Sequence, residues 1–169
     1  MTPTGKLLLR GGKTEIHRQN LAARQGFLLV DAVSRGRGEN TTMLKWLLIA
    51  GGGAVGSMLR YAMQGWVQRL TPTIFPVGTL AVNVLGCLLI GILAGMFAGP
   101  QLVREEYRIG LMVGVLGGFT TFSAFGLESF RLMQDGEARL MFLNVLLSCG
   151  IGFAAVWLGY RLAEHWFGV

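Results

Sequence analysis

Most of the residues able to do chemistry in this 169-residue chain fall in one stretch, Gly117-Gly118-Phe119-Thr120-Thr121-Phe122-Ser123-Ala124-Phe125. No charge occurs around it between Ile109 and Leu127. Two adjacent glycines followed by two β-branched threonines make a poor helix. If the helix breaks there, backbone carbonyls lose their partners, and such backbone survives at membrane depth only when buried in protein or lining a cavity. Freed carbonyls are hard oxygen ligands, and broken helices hold cations in this way. Phe119, Phe122 and Phe125 recur every three residues. That stripe fits ordinary packing. It also fits a lining whose electropositive ring edges receive a small anion where water is scarce.

Polar residues elsewhere in apolar surroundings form a short set. Thr79, Asn83 and Cys87 fall on one helical face, continued by Gly91 and Gly95. A carboxamide in hydrocarbon needs partners, so Asn83 either cross-links helices or offers N–H donors along an aqueous path. Asn144, Ser148 and Gly152 share a face on a later helix, a second polar track. Arg60 either snorkels to the interface or sets a positive potential at a pore mouth. Glu128 lies past the aromatic cluster, as a vestibule residue or an interfacial charge. Cys87 and Cys149 read as small buried hydrophobes rather than a disulfide or metal site. His17 and His165 have no partners at metal-ligand spacing.

Two motifs point elsewhere and fail. Gly51-Gly52-Gly53-Ala54-Val55-Gly56 satisfies G-x-G-x-x-G, but a dinucleotide site needs an acidic residue about 20 positions on. No Asp or Glu occurs between Glu39 and Glu105, so the glycines are assigned to helix packing and no nucleotide cofactor is expected. Gly12-Lys13-Thr14 lacks the first glycine of a phosphate loop, that position being Leu7.

The elements that must position these residues are membrane spans. The chain is 52% hydrophobic and 14% charged, against roughly a quarter charged in soluble domains. Charges are absent between Leu70 and Val103, Ile109 and Leu127, and Leu140 and Tyr160, and Arg60 alone interrupts Trp46 to Gln68. About 18 apolar residues suffice to span. The expected helices are Leu44–Gln68, Val77–Ala98, Ile109–Met133 and Ala138–Glu164, with Gln101–Arg108 a charged connection and Asp135-Gly136 a turn. Gly52/Gly56, Gly91/Gly95/Gly99 and Gly110/Gly114/Gly118 predict close helix packing.

Residues 1–42 differ from the rest and hold seven of the fifteen Lys/Arg and three of the nine Asp/Glu. They read as an unstructured extension or the product of a mis-assigned start, without the apolar core of a signal peptide. Residues 43–169 form the transmembrane domain. The basic residues are scattered without aromatic interleaving, which argues against nucleic acid. Past Met43, Lys45, Arg104, Arg108 and Arg161 lie on one side and Arg69, Arg131 and Arg139 on the other, with Arg60 joining the second side if it snorkels. Orientation follows Lys/Arg asymmetry. So small a bias favours insertion both ways and an antiparallel homodimer, unless the basic extension fixes one direction.

The strings GGGAVGSMLRY, GTLAVNVLG and GGFTTFSAFGLE resemble, in order, the first three helices of the CrcB/Fluc fluoride channels. The resemblance covers Met43 to about Gly168. It implies an all-α membrane protein: an antiparallel, dual-topology homodimer of four-helix subunits with the third helix broken. It implies two fluoride pores and a structural sodium ion at the dimer interface, held by the backbone carbonyls of Gly117 and Thr120. Phe122 and Phe125 would turn ring edges to fluoride and Asn83 would be the pore asparagine. Thr121, Ser123 and Ser148 would be polar pore contacts, and Arg60 the first-helix arginine. Two departures stand out: Asn144 where the family often has tyrosine, and Gly126 in place of a frequent serine. The implied protein is no enzyme but a passive exporter of fluoride in the bacterial inner membrane. The alternative is a dual-topology transporter of the small multidrug-resistance type, which needs a membrane-embedded carboxylate that the first helix lacks.

Overall fold

The computed structural model describes residues 41–99 and 103–168. The chain divides into two units, Met1–Met43 and Leu44–Val169. Most of the first lies outside the described residues, as does the expected character of residues 1–42 apart from Thr41 and Thr42, which are helical rather than unstructured.

Among the described residues four helices are long and apolar enough to cross a membrane: α1 (Thr41–Leu70), α2 (Val77–Met96), the third span (Glu105–Gln134) and α6 (Ala138–Phe167). The third span consists of α3 (Glu105–Ile109), a π segment (Gly110–Leu116), α4 (Gly117–Phe119) and α5 (Phe122–Gln134). Its start corrects the expected charged connection. Glu105 and Glu106 occupy the first turn, where carboxylates complement the helix dipole, so charge there extends the helix. The expected ends of α1 and α6 are likewise short, because amphipathic residues continue a helix into the headgroup region.

Pro76 caps α2 without a side-chain bond, and Gln68 takes over that task from α1. Its Oε1 accepts from the Gly78 amide at 3.1 Å while Nε2 donates to the carbonyls of Thr73 (3.0 Å) and Phe75 (3.2 Å). The Asp135-Gly136 turn forms as expected, with Gly136 at φ 78°. Its amide bonds the Met133 carbonyl, and Glu137 N bonds Leu132 O.

Glycine sets the packing. A Cβ on Gly52 would lie 2.7 Å from the Gly110 carbonyl, and one on Gly56 would overlap the Val115 carbonyl. α1 therefore lies backbone to backbone against the π segment and α4. α2 seats on α6 in the same manner: a Cβ on Gly91 would overlap the Val156 carbonyl, and one on Gly159 the Leu88 carbonyl. In lipid, where expelling water drives nothing, such close approach is what holds helices together. The G-x-G-x-x-G string is thus a packing face on a helix.

Among the described residues the buried apolar core is small: Val82, Leu116, Phe119, Leu132, Ala155 and Ala163. Large apolar side chains such as Leu47, Phe142, Leu146 and Phe153 are exposed, as lipid-facing residues are. Trp46 and Trp66, both exposed on α1, stand about 30 Å apart along the helix. That is the thickness of the hydrocarbon layer, and tryptophan anchors at its two boundaries.

Candidate functional site

The centre of the site is a hydrogen-bonded lock between α2 and the interruption of the third span. α4 ends at Phe119, Thr120 is extended (φ −79°, ψ 159°), Thr121 is extended (φ −150°, ψ 118°), and α5 starts at Phe122. Asn83 fills the gap. Its Oδ1 accepts from the Thr121 amide at 2.8 Å, and its Nδ2 donates to the Thr121 carbonyl at 3.0 Å. The carboxamide thereby mimics a neighbouring strand and satisfies backbone that has left the helix. An asparagine has two amide N–H donors, so one remains after Thr121 is served.

The same lock diverts the helical amide donors of two carbonyls. In an unbroken helix the Gly117 carbonyl would accept from the Thr121 amide, and the Thr120 carbonyl from Ala124. The first amide instead goes to Asn83. The second goes to Thr121 Oγ1 at 3.2 Å, the N-cap of α5. Both oxygens thus lose their helical amide donors, and carbonyl oxygens of this kind can hold a cation. Thr120 is held by its own hydroxyl, which donates to Leu116 O at 3.1 Å. Gly86 makes room for it, since a Cβ there would overlap Thr120 Cγ2.

A cavity of about 360 Å³ opens beside the lock and brings together Asn83, Gly117, Thr120, Thr121, Phe122, Phe125 and Ser148. The Phe122 and Phe125 rings are tilted by 49° with centroids 5.5 Å apart, an edge-to-face tendency that leaves ring edges available. Phe122 is 83% exposed, whereas Phe119 is 6% exposed and belongs to the core. The three-residue phenylalanine stripe is therefore split: two rings line the cavity and one packs. Ser123 stands one step out, its hydroxyl 3.2 Å from that of Thr121. Arg60 lines neither this cavity nor a larger one at the loop end of α1.

Two polar knots position the walls. Thr79, 3% exposed, donates to Glu128 Oε1 at 2.8 Å. Gln64 Nε2 reaches both the Thr79 hydroxyl (2.9 Å) and Glu128 Oε1 (3.2 Å). α1, α2 and α5 are joined there, while Glu128 Oε2 is buried without a hydrogen-bond partner among the described residues. The larger cavity, about 750 Å³, is lined by Gln64, Glu128, Arg69 and Arg131 among others. In the second knot Asn144, 1% exposed, donates to Ser129 Oγ at 2.9 Å, and Ser129 donates to the Phe125 carbonyl at 2.8 Å. Ser148 donates to Asn144 Oδ1 at 3.4 Å. Asn144 thus braces α5 against α6, and the track expected on α6 divides into Asn144 inside and Ser148 at the cavity.

Sequence reasoning missed Gln64, Ser129 and Met112. The rule that selected Asn83, a carboxamide in an apolar run, applies equally to Gln64. Ser129 lies one turn past Phe125, and Met112 gives no signal. Cys149 departs from its expected burial: it is exposed, Cys87 is half-buried, and both thiols line the cavity.

A bundle of four apolar spans, with a few polar side chains such as Asn83, Thr121 and Ser148 at a largely apolar cavity, defines a multi-pass α-helical membrane protein. Residues 47–160 match the family described as CrcB-like protein, Camphor Resistance (CrcB). The chain is similar to the "Fluoride-specific ion channel FluC" of Geobacter metallireducens, 46% identical over 123 residues, covering 73% of this chain and 99% of that one. Proteins of the same name match from Rhizobium leguminosarum bv. trifolii (47% over 117 residues, 69% and 94% covered) and Pseudomonas putida (46% over 116 residues, 69% and 94%). The chain belongs to the CrcB family.

Proposed function

We propose that this chain is a passive, fluoride-selective channel that lets fluoride leave the bacterial cytoplasm across the inner membrane. The observation that carries the reading is the Asn83–Thr121 lock with its spare N–H beside the Phe122 and Phe125 rings. A small anion leaving water needs short replacements for its hydrogen bonds. Asn83 supplies its spare N–H, the Thr121–Ser123 pair supplies the one O–H not spent between them, Ser148 supplies an O–H by turning it from Asn144, and ring edges supply positive charge without a competing counter-ion. A lysine or arginine at the same place would hold the ion too long, since conduction needs sites weak enough to leave. Arg60 contributes a positive potential from the first helix. No covalent bond changes, so no enzyme activity is involved.

In this reading the third span acts as a broken helix, supported by the extended Thr120 and Thr121. The carbonyls of Gly117 and Thr120 are the ligands of a structural sodium ion, supported by the diversion of their amide partners. When bound, sodium supplies a fixed positive charge that ties these oxygens together. Two carbonyls do not fill a hard cation's oxygen shell. A second copy completes it, giving a homodimer with the interruptions face to face. Near-balanced basic residues on the two sides suit antiparallel insertion.

Fluoride efflux from liposomes carrying the purified chain, followed with a fluoride electrode against a chloride control, tests the reading. Fast fluoride release without a pH gradient and without chloride release is the expected result. A proton-driven exporter of cationic compounds would release none. That alternative also needs an exchanging carboxylate, and α1 and α2 contain no Asp or Glu.

A further inference from the structure

Three sulfur side chains face the cavity that holds the Asn83 lock: Cys87 of α2, Cys149 of α6 and Met112 of the π segment. Both cysteines are free thiols. Their placement is fixed by backbone contact. A Cβ built on Gly152 would lie 3.5 Å from Cys87 Sγ, and Cys149 precedes Gly152 by three residues, on the same side of α6. Gly91 against Val156 and Gly159 against Leu88 prevent α2 from sliding along α6. The thiols therefore stay within about one helical turn of each other in height. Asn83 and Ser148 adjoin them, one turn before Cys87 and one residue before Cys149.

Thiolate and thioether are soft donors that select Cu(I) over hard cations. Structural zinc asks for four Cys or His ligands, and no group of three or more His, Cys, Asp and Glu at ligand spacing exists among the described residues. Two thiols and one thioether suit an ion content with two or three soft ligands.

We propose that Cys87, Cys149 and Met112 form a site for a soft monovalent cation, Cu(I) or Ag(I), and that its occupation closes the fluoride path. Binding breaks two S–H bonds, forms two metal–thiolate bonds and releases two protons to solvent, with no change of oxidation state. One positive ion on two thiolates leaves a net negative charge in the cavity, which repels fluoride while the metal fills the space. The closing effect rests on the channel reading above. The binding stands on the cavity alone.

The test uses the full chain and Ag(I), added as nitrate in chloride-free buffer. Bound silver is counted by elemental analysis after desalting, and fluoride efflux is measured from liposomes in the same buffer. The expected result is one silver per chain, lost in Cys87→Ala and in Cys149→Ala, and roughly tenfold weaker binding in Met112→Leu. Efflux of the unsubstituted protein should stop at stoichiometric silver and return with excess dithiothreitol. Unchanged silver content in the double cysteine variant, or loss in only one of the single variants, overturns the site. Full binding with undiminished efflux overturns the closing effect. Should the untreated protein release no fluoride, the channel reading fails while the silver count still decides the site. If the alanine variants aggregate, the unsubstituted protein alkylated with N-ethylmaleimide must bind no silver, and silver retained after alkylation refutes the proposal.

Discussion

Phe122 meets the rest of its own chain mainly through the tilted Phe125 ring, and its exposure leaves little of the fold dependent on it. Phe122→Ile should lower fluoride efflux by at least about 100-fold, near 2.7 kcal/mol in the barrier, while the melting temperature in detergent stays put. An isoleucine variant with full flux would remove that ring from the path. Asn83 behaves differently because it serves fold and path together. Asn83→Ala strips the Thr121 amide and carbonyl of their partners. It should cost about 2 to 3 kcal/mol of stability, the usual penalty for unsatisfied polar backbone, as well as the flux. Comparing melting curves of the two variants separates a lining residue from a locking one. Asn83 was legible in the sequence, since an amide in hydrocarbon announces itself. Its partner was not, because nothing in Thr121 marks which carboxamide its backbone will meet.

At the scale of elements, glycine position decides which helices touch. Gly56 and Gly51 lie five residues apart on α1 with opposite surroundings. A methyl group on Gly56 would overlap the Val115 carbonyl, whereas one on Gly51 meets nothing within 4 Å. Gly56→Ala should therefore destabilise the fold by about 1 to 3 kcal/mol through overpacking. Gly51→Ala should be neutral or stabilising by up to about 1 kcal/mol through helix propensity. Thermal unfolding in one detergent measures both, and equal effects would disprove the packing register. The spans themselves were readable from charge-free runs. The π segment was not: it forms where Gly110 and Gly114 press on Leu48 and Ile49, and this contact has no local code. The phenylalanine stripe divides for a related reason. Helical spacing presumes one continuous helix, and the extended Thr120 and Thr121 shift the phase between Phe119 and Phe122.

For the molecule as a whole, the exposed Gly117 bears on assembly. Within one chain a Cβ on Gly117 would come no closer than 3.9 Å to any neighbour, the Met112 carbonyl, so a lone subunit tolerates Gly117→Ala. If two copies meet at this interruption, the added methyl group pushes them apart. The variant should then run as a monomer in size-exclusion chromatography with light scattering, with fluoride efflux lost and helix content intact. A Gly117→Ala protein that stays dimeric and conducts would move the second copy to another face.

The sequence by itself determined the membrane class, the four spans and the family, because charge-free length and the GGFTTFSAFGLE string are local properties that need no neighbours. The same holds for the break-prone Gly-Gly-x-Thr-Thr run, whose propensity is written in its own residues. Only the tertiary structure decided the partners: Asn83 on Thr121, Gln64 and Thr79 on Glu128, Asn144 on Ser129, and three sulfurs around one cavity. These contacts join residues 15 to 64 positions apart in the chain. They exist because glycine faces let backbones approach until polar side chains from different helices must satisfy one another.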